Sequence, residues 1–488
     1  MSARAQLGAC MAVVGLVCLF MIEPRLHHDF PSMIDDWSAI AKAPDQLRDV
    51  LVLRNPEKQR YRPGFVMWNA LQWHTLGAPE RFVGPQLWNL LRVMLLAVGL
   101  TALADLLLRG PDRRSFLDPR LALVVATPLV VLTTPTLAMD FARYGPQEPL
   151  MVGGMALGVA LLVHAVDRLL EPGPAARGTL LAAVAGAVLW AFGVLQKETS
   201  SCVLLLAPFL WPTVRAQRPR WGRLDRERRR SLLGIGAVVL LPFVPIVARS
   251  IQLATADERV YESYAAGRSI WTRIWDQVIT ADDALDTPLF GILLVAALAA
   301  PVLVALRRRR VDWLTVGLVV TGVAFVLFAA ESGVVVTRYY LPPLALFSLA
   351  FARAAAAWGA LVTVAAALVL GATGVVHARD ARDWVRYWVG GERRQEALVR
   401  TVAALDGGGC RVRVTGQNVE LVEALPVLEP FAREPPRKCS PGPGVVVVID
   451  GPRGPETPPT DPVLVDCRPA PAPFWHSDLA TISQCLSA

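Results

Sequence analysis

Charge is scarce in this chain of 488 residues: 18% of it is Asp, Glu, Lys or Arg, against 54% hydrophobic residues. That balance excludes a water-soluble globular protein, because so many apolar side chains cannot be hidden from water within one such fold. CxxC spacing is absent, which argues against structural zinc. No segment repeats at a fixed period, so solenoids and tandem arrays are set aside. A small-residue cleavage site is missing too. Ile22-Glu23-Pro24 is a poor signal-peptidase sequence, and in Leu7-Gly8-Ala9-Cys10 the apolar run follows the cysteine instead of preceding it. The first apolar stretch is therefore expected to be retained.

What is present is a series of apolar runs near the bilayer-spanning length of roughly 20 residues. Eleven spans are expected, at about 7–22, 87–108, 120–138, 149–167, 179–196, 199–213, 232–250, 288–306, 314–330, 339–352 and 359–376. The net charge of +8 is concentrated in a few connections: eight arginines between Arg215 and Arg230, the run Arg307–Arg310, and Arg109, Arg113, Arg114 and Arg120. With eleven spans these loops fall on one side, which the positive-inside rule makes cytoplasmic. The basic balance thus reads as topology beside anionic lipid, and no nucleic-acid partner is expected.

An odd number of spans puts the tail on the outward side, where Cys410, Cys439, Cys467 and Cys485 have three possible pairings into two disulfides. The expected organisation is a transmembrane domain, 1–376, whose first outward loop is 23–86, followed by a small extracytoplasmic α/β domain, 377–488. Surface helices are expected over 38–53 and 64–76, and another around Tyr261, Tyr264, Trp271 and Trp275. Asp282-Asp283 reads as a cap or a solvated turn. In the tail, strands are expected at 410–415, 445–449 and 463–465, and helices at 380–405, 418–428 and 477–486.

Ionisable residues beside a membrane are costly and mark candidate sites. By the topology above, Asp35, Asp36, Arg60, Arg62, Arg143, Glu148, Lys197, Glu198 and Arg338 all lie at outward span ends or in outward loops. Their motifs come in a particular order: Asp35-Asp36-Trp37, Arg60-Tyr61-Arg62-Pro63, Trp88-Asn89-Leu90-Leu91, Arg143 to Glu148, Gln196-Lys197-Glu198-Thr199 and Thr337-Arg338-Tyr339-Tyr340. Over roughly residues 5–350 this series resembles GT-C superfamily membrane glycosyltransferases, chiefly the protein O-mannosyltransferase-like and aminoarabinose-transferase-like enzymes. Gly64 departs from the pattern, standing where an apolar residue is usual.

The resemblance implies an inverting transfer of a sugar from a polyprenyl-phosphate donor to a hydroxyl of a glycan, lipid or protein acceptor. The site would face the extracytoplasmic side of a bacterial inner membrane. Asp35 or Asp36, with Asp35 favoured, would be the base. Glu148 and Lys197 would shape the pocket, Arg62 and Arg338 would contact the lipid-linked phosphate, and Arg60, Arg143, Glu198 and Tyr339 would belong to the substrate site. Such chemistry needs a carboxylate within reach of the acceptor proton and cations aimed at the leaving phosphate. His27-His28-Asp29 invites a metal, but adjacent histidines rarely ligate one ion together. No metal ligand is assigned, and Mg²⁺ or Mn²⁺ is the only cofactor considered. The competing readings are a polyprenyl-lipid flippase or transporter, which calls for polar residues at mid-span, and a non-catalytic cell-envelope scaffold.

Overall fold

The computed structural model describes residues 2–27, 62–76, 85–109, 118–142, 146–171, 177–216, 221, 224–254, 268–332, 336–407, 411–415, 445–449 and 481–482. In chain order the helices are α1 (Ala3–Leu26), α2 (Pro63–Leu76), α3 (Pro85–Arg109), α4 (Arg120–Leu132), α5 (Pro135–Ala142), α6 (Glu148–Leu170) and α7 (Arg177–Val194). Then come α8 (Ala207–Ala216), α9 (Arg226–Leu240), α10 (Phe243–Ala254), α11 (Ile270–Leu285), α12 (Leu289–Arg308), α13 (Trp313–Ser332), α14 (Leu341–Ala357) and α15 (Ala360–Gly407). Two 3-10 segments, Glu198–Leu206 and Thr337–Tyr340, lead into α8 and α14.

Among the described residues nine helices are long and apolar enough to cross a membrane, or ten if the bent pair α4–α5 is one span. Their outer faces stay apolar. Leu180, Leu181, Val184 and Val188 of α7 and Ile292, Val295, Val302 and Leu306 of α12 are exposed, as lipid-facing positions must be. The chain is an α-helical multi-pass membrane protein.

The expected span 199–213 is not an α-helix along its whole length. Thr199, Ser200 and Ser201 follow the end of α7, and the hydroxyls of Ser200 and Ser201 donate to the carbonyls of Val194 and Glu198. Such local bonds compete with the helical ladder, and the chain continues as a 3-10 helix. Because that helix rises faster per residue, Glu198–Ala216 reaches about 33 Å, enough to cross a hydrocarbon core. Its course along α13 agrees: Thr199 shares a hollow with Phe325 and Phe328, whereas Phe209 meets Trp313 at 6.5 Å.

Close helix contact at the centre depends on glycine. A Cβ on Gly153 would stand 2.8 Å from the backbone of Leu96, one on Gly158 2.6 Å from the nitrogen of Trp190, and one on Gly193 2.6 Å from that of Met155. These contacts run α6 parallel to α3 and antiparallel to α7. Small residues at such crossings let backbones approach in lipid, where no hydrophobic effect drives helices together.

The arginine-bearing connections gather at one end, as their placement required. Arg109 bonds Gln6 at 2.7 Å, Arg228 reaches the carbonyl of Leu169 at 3.4 Å, and Arg353 links Asp312 at 2.7 Å to the carbonyl of Leu107. The opposite end holds α2, α5, α11 and the Thr337–Tyr340 turn. The expected span 120–138 breaks there: α4 and α5 meet at 77°. The hydroxyls of Thr133 and Thr134 bond back to Leu129 and Val130, and Pro135 opens the next helix. On α11 Trp271 and Trp275 are exposed, as expected of a surface helix, while Tyr261 and Tyr264 lie outside the described residues. Asp282 accepts the amide of Gly291 at 3.0 Å in the first turn of α12, which is the capping role expected for that pair.

At the tail, α15 runs without interruption from Ala360 to Gly407 and so joins the last expected span to the helix expected over 380–405. Arg411–Thr415 pairs parallel with Val445–Ile449, as strands expected from the sequence. The helix expected over 477–486 needs correction: Thr481–Ile482 pairs antiparallel with Val448–Ile449. A β-branched pair beside a valine-rich strand favours the sheet. The expected elements 38–53, 418–428 and 463–465 and the four tail cysteines lie outside the described residues.

Replacing Gly158 by Val should cost about 3 kcal/mol, the upper range of overpacking in a tight core, and lower the melting temperature of the purified protein. Gly178→Ala, with nothing within 4 Å of its Cβ position, should leave it unchanged or slightly higher. Equal melting temperatures for the two variants would contradict the packing described.

Candidate active site

Segments spread from Arg62 to Tyr340 meet at the end opposite the basic loops. The first is the entry to α2, carrying Arg62. The second is the start of α6, where Glu148 precedes Pro149, a residue whose fixed φ suits the first turn of a helix. The third is the extended residue Lys197, between α7 and the 3-10 helix opened by Glu198. The Thr337–Tyr340 turn closes the group. There the hydroxyl of Thr337 donates to Asp140 Oδ2 at 2.6 Å and so fixes the turn to α5.

The Lys197 ammonium is buried against the Glu148 carboxylate and donates to its Oε1. Arg338 approaches the same oxygen at 3.8 Å. Lys197 Nζ also sits 3.8 Å above the ring of Tyr339, a cation–π contact that accepts charge without a second anion. One residue further on, Tyr340 turns into the core, its hydroxyl 2.9 Å from Gln277 Oε1 and its ring against Phe290. The adjacent tyrosines therefore have different tasks.

Arg62 forms a two-pronged pair with Glu198: Nε donates to Oε2 at 2.7 Å and one terminal nitrogen to Oε1 at 2.6 Å. With the Gln147 amide turned so that its oxygen faces Arg62, the other terminal nitrogen of Arg62 donates to that oxygen at 3.0 Å and the amide nitrogen donates to the carbonyl of Gln196 at 2.8 Å. The two ion pairs thus share a frame in which Gln147 and Gln196 flank Glu148 and Lys197. Among the described residues of this cluster, Arg62, Lys197 and Arg338 face the carboxylates of Glu148 and Glu198.

A hollow opens beside it, with about 410 Å³ of empty space counted to its open mouth. It is lined by Glu148, Lys197, Glu198, Thr199 and Tyr339 together with Phe325, Phe328, Ala329 and Pro342. Among the described residues, Glu148 Oε2 is buried and receives no hydrogen bond. It is a buried acceptor on a residue that lines this hollow. Charged and apolar side chains thus line the same space at the end of the bundle.

Of the residues expected here, Arg62, Glu148, Lys197, Glu198, Arg338 and Tyr339 converge. Asp35, Asp36, Arg60 and Arg143 lie outside the described residues. His27, just past the end of α1, pairs with Glu23 at 3.1 Å, and no group of three His, Cys, Asp or Glu side chains converges among the described residues. Sequence reasoning passed over Arg92. It is buried on α3 and donates to the carbonyl of Phe141 at 2.6 Å and to Asn89 at 3.0 Å, holding the end of α5 in place. An arginine inside an apolar span, two turns from its start at Pro85, was the available signal.

The fold and this cluster together define a multi-pass helical membrane protein with an ion-paired hollow at one end of its bundle. Among solved structures it is similar to ArnT from Cupriavidus metallidurans, crystallised bound to undecaprenyl phosphate. The likeness covers 92% of this chain and 93% of that one, at 12% identity and a TM-score of 0.45. No protein-family model matches the chain, and no curated protein matches it.

Burial drives the proton affinity of Lys197 down, and the neighbouring Glu148 charge restores part of it, leaving a pKa of about 8. The ammonium should therefore lose its proton as pH rises through about 8, whereas an ordinary lysine holds it past about pH 10. Glu148→Gln removes the charge that favours the ammonium, so the midpoint should fall further. Carbon-13 NMR of the methylated protein can follow this, since the only other lysines are Lys42, Lys58 and Lys438. A Lys197 midpoint at the ordinary lysine value in both forms would refute this account.

Proposed function

We propose that this protein is a membrane glycosyltransferase of the GT-C kind, which moves a sugar from a polyprenyl-phosphate donor to an acceptor hydroxyl at the extracytoplasmic face of a bacterial inner membrane. The observation that carries the reading is the convergence of Arg62, Lys197 and Arg338 on Glu148 and Glu198, beside a hollow that Phe325, Phe328, Ala329 and Pro342 also line. The motif series of the sequence supports it, because each converging residue belongs to one of the motifs that carry the resemblance. The cluster lies at helix ends and not at mid-span, which favours an interfacial enzyme over a transporter.

In this reading the donor's phosphate enters beside Arg338 and Lys197, and the first isoprene units lie against Phe325 and Phe328. Asp35, or its neighbour Asp36, accepts the proton of the acceptor hydroxyl as the oxygen attacks the anomeric carbon. The new C–O bond forms on the face opposite the breaking bond to phosphate oxygen. The lipid phosphate leaves with the electron pair, and the configuration at carbon inverts. Arg62, Arg338 and Lys197 balance the charge that builds on the leaving group, an effect worth most in a site with little water. Glu148 holds Lys197 charged. Arg60 and Arg143 complete the substrate site in the same reading. Mg²⁺ or Mn²⁺ remains a proposal without assigned ligands.

The test is turnover by purified protein in nanodiscs supplied with an undecaprenyl-phosphate-linked sugar. Asp35→Asn should reduce turnover by at least about a hundredfold, in line with loss of a general base, while the protein stays folded and binds the donor. Arg338→Ala should act mainly on the KM for the donor. A non-catalytic scaffold would show no turnover to lose, and a transporter would move the lipid across the bilayer unchanged.

A further inference from the structure

Gly64 is the residue at which the sequence departs from the motif it resembles, and the structure gives it a physical task. It lies in the first turn of α2, buried, and its amide donates to the carbonyl of Leu195 at 2.9 Å. A Cβ built on it would stand 2.9 Å from the carbonyl carbon of Leu195, 3.0 Å from the oxygen and 3.0 Å from Gln196 Nε2. Two of those neighbours are backbone at the end of α7, which packs through Gly193 and Gly186 against α6 and cannot retreat. Any side chain at position 64 must therefore lift the start of α2 away from the Leu195–Glu198 turn.

Beside this contact the same two segments are joined again. Arg62 reaches Glu198 with both prongs, at 2.6 and 2.7 Å, and Gln147 bridges Arg62 to the carbonyl of Gln196. A forked pair of this kind depends on position as well as charge, since both bonds must be met at once. We infer that Gly64 is a positioning residue: its missing side chain seats the start of α2 directly on Leu195 and Gln196, just before the Lys197–Glu198 turn, and that seat brings Arg62 into register with Glu198.

The inference deepens the proposed glycosyl transfer, but its central observable does not need that reading. Helix propensity opposes it, for alanine in a helix is favoured over glycine by up to about 1 kcal/mol. If Gly64 had no such task, Gly64→Ala would leave the protein as stable as before or more so.

The experiment is a double-mutant cycle of Arg62→Ala and Glu198→Ala, measured by thermal unfolding of the full chain in detergent and repeated in the Gly64→Ala background. In the parent the two single losses should overlap, giving a clear coupling. In the Gly64→Ala background the coupling should disappear. In the transfer assay Gly64→Ala should lower kcat/KM by about tenfold to a hundredfold, the scale of a sub-ångström to 1 Å misplacement, and Arg62→Ala should add little on top. Intact coupling in the Gly64→Ala protein would overturn the inference. So would a Gly64→Ala protein that fails to fold while Arg62→Ala folds normally, because Gly64 would then serve the core and not the ion pair. Should the parent show no transfer, the proposed function falls, and the coupling still decides the role of Gly64.

Discussion

The buried pair of Lys197 and Glu148 is the interaction on which the rest of the site depends. Each charge alone would be expensive at the end of an apolar bundle, and removing one partner from such a pair typically costs about 3–5 kcal/mol, because the other is left without compensation. Their pairing therefore fixes where the turn after α7 meets the start of α6. Arg338 and Tyr339 then settle on the same carboxylate and ammonium, and Arg62 with Glu198 adds a second pair alongside. Among the described residues the cluster holds more cations than carboxylates, a balance that suits an anionic visitor.

That arrangement needs the helices to be close, and glycine supplies the closeness. α3, α6 and α7 touch backbone to backbone at Gly153, Gly158 and Gly193, so the ends bearing Glu148 and Lys197 arrive side by side. Gly64 does the same for the start of α2. The bundle's tightest contacts and its ionic cluster are thus two parts of one construction, with small residues setting the distance and charges setting the register.

Much of this was legible in the sequence. Apolar runs of bilayer length were enough to identify a helical membrane protein, and the arginines between Arg215 and Arg230 and at Arg307–Arg310 indicated which ends lie together. Of the ionisable residues named from the sequence, Arg62, Glu148, Lys197, Glu198 and Arg338 come together, and they stood out because charge beside a membrane is rare and costly. The 3-10 course of 198–206 was not. Whether Ser and Thr hydroxyls divert a helix depends on what packs around it, and here α13 does. The break between α4 and α5 is similar, and so is the strand at Thr481–Ile482, whose partner lies over 30 residues away. Gly64 looked like an imperfection of a motif because a glycine's purpose is visible only in what stands opposite it.

By itself, the sequence determined the class of the protein, the series of apolar spans, the gathering of basic loops at one end and the identity of the charged residues at the other. These follow from local composition, since a lipid environment judges each segment by its own apolar length. Tertiary structure alone decided which charges pair, that Tyr339 and not Tyr340 faces Lys197, and that Arg62 belongs to Glu198. Pairing is set by where helix ends come to rest, and that position is governed by contacts between residues far apart in the chain.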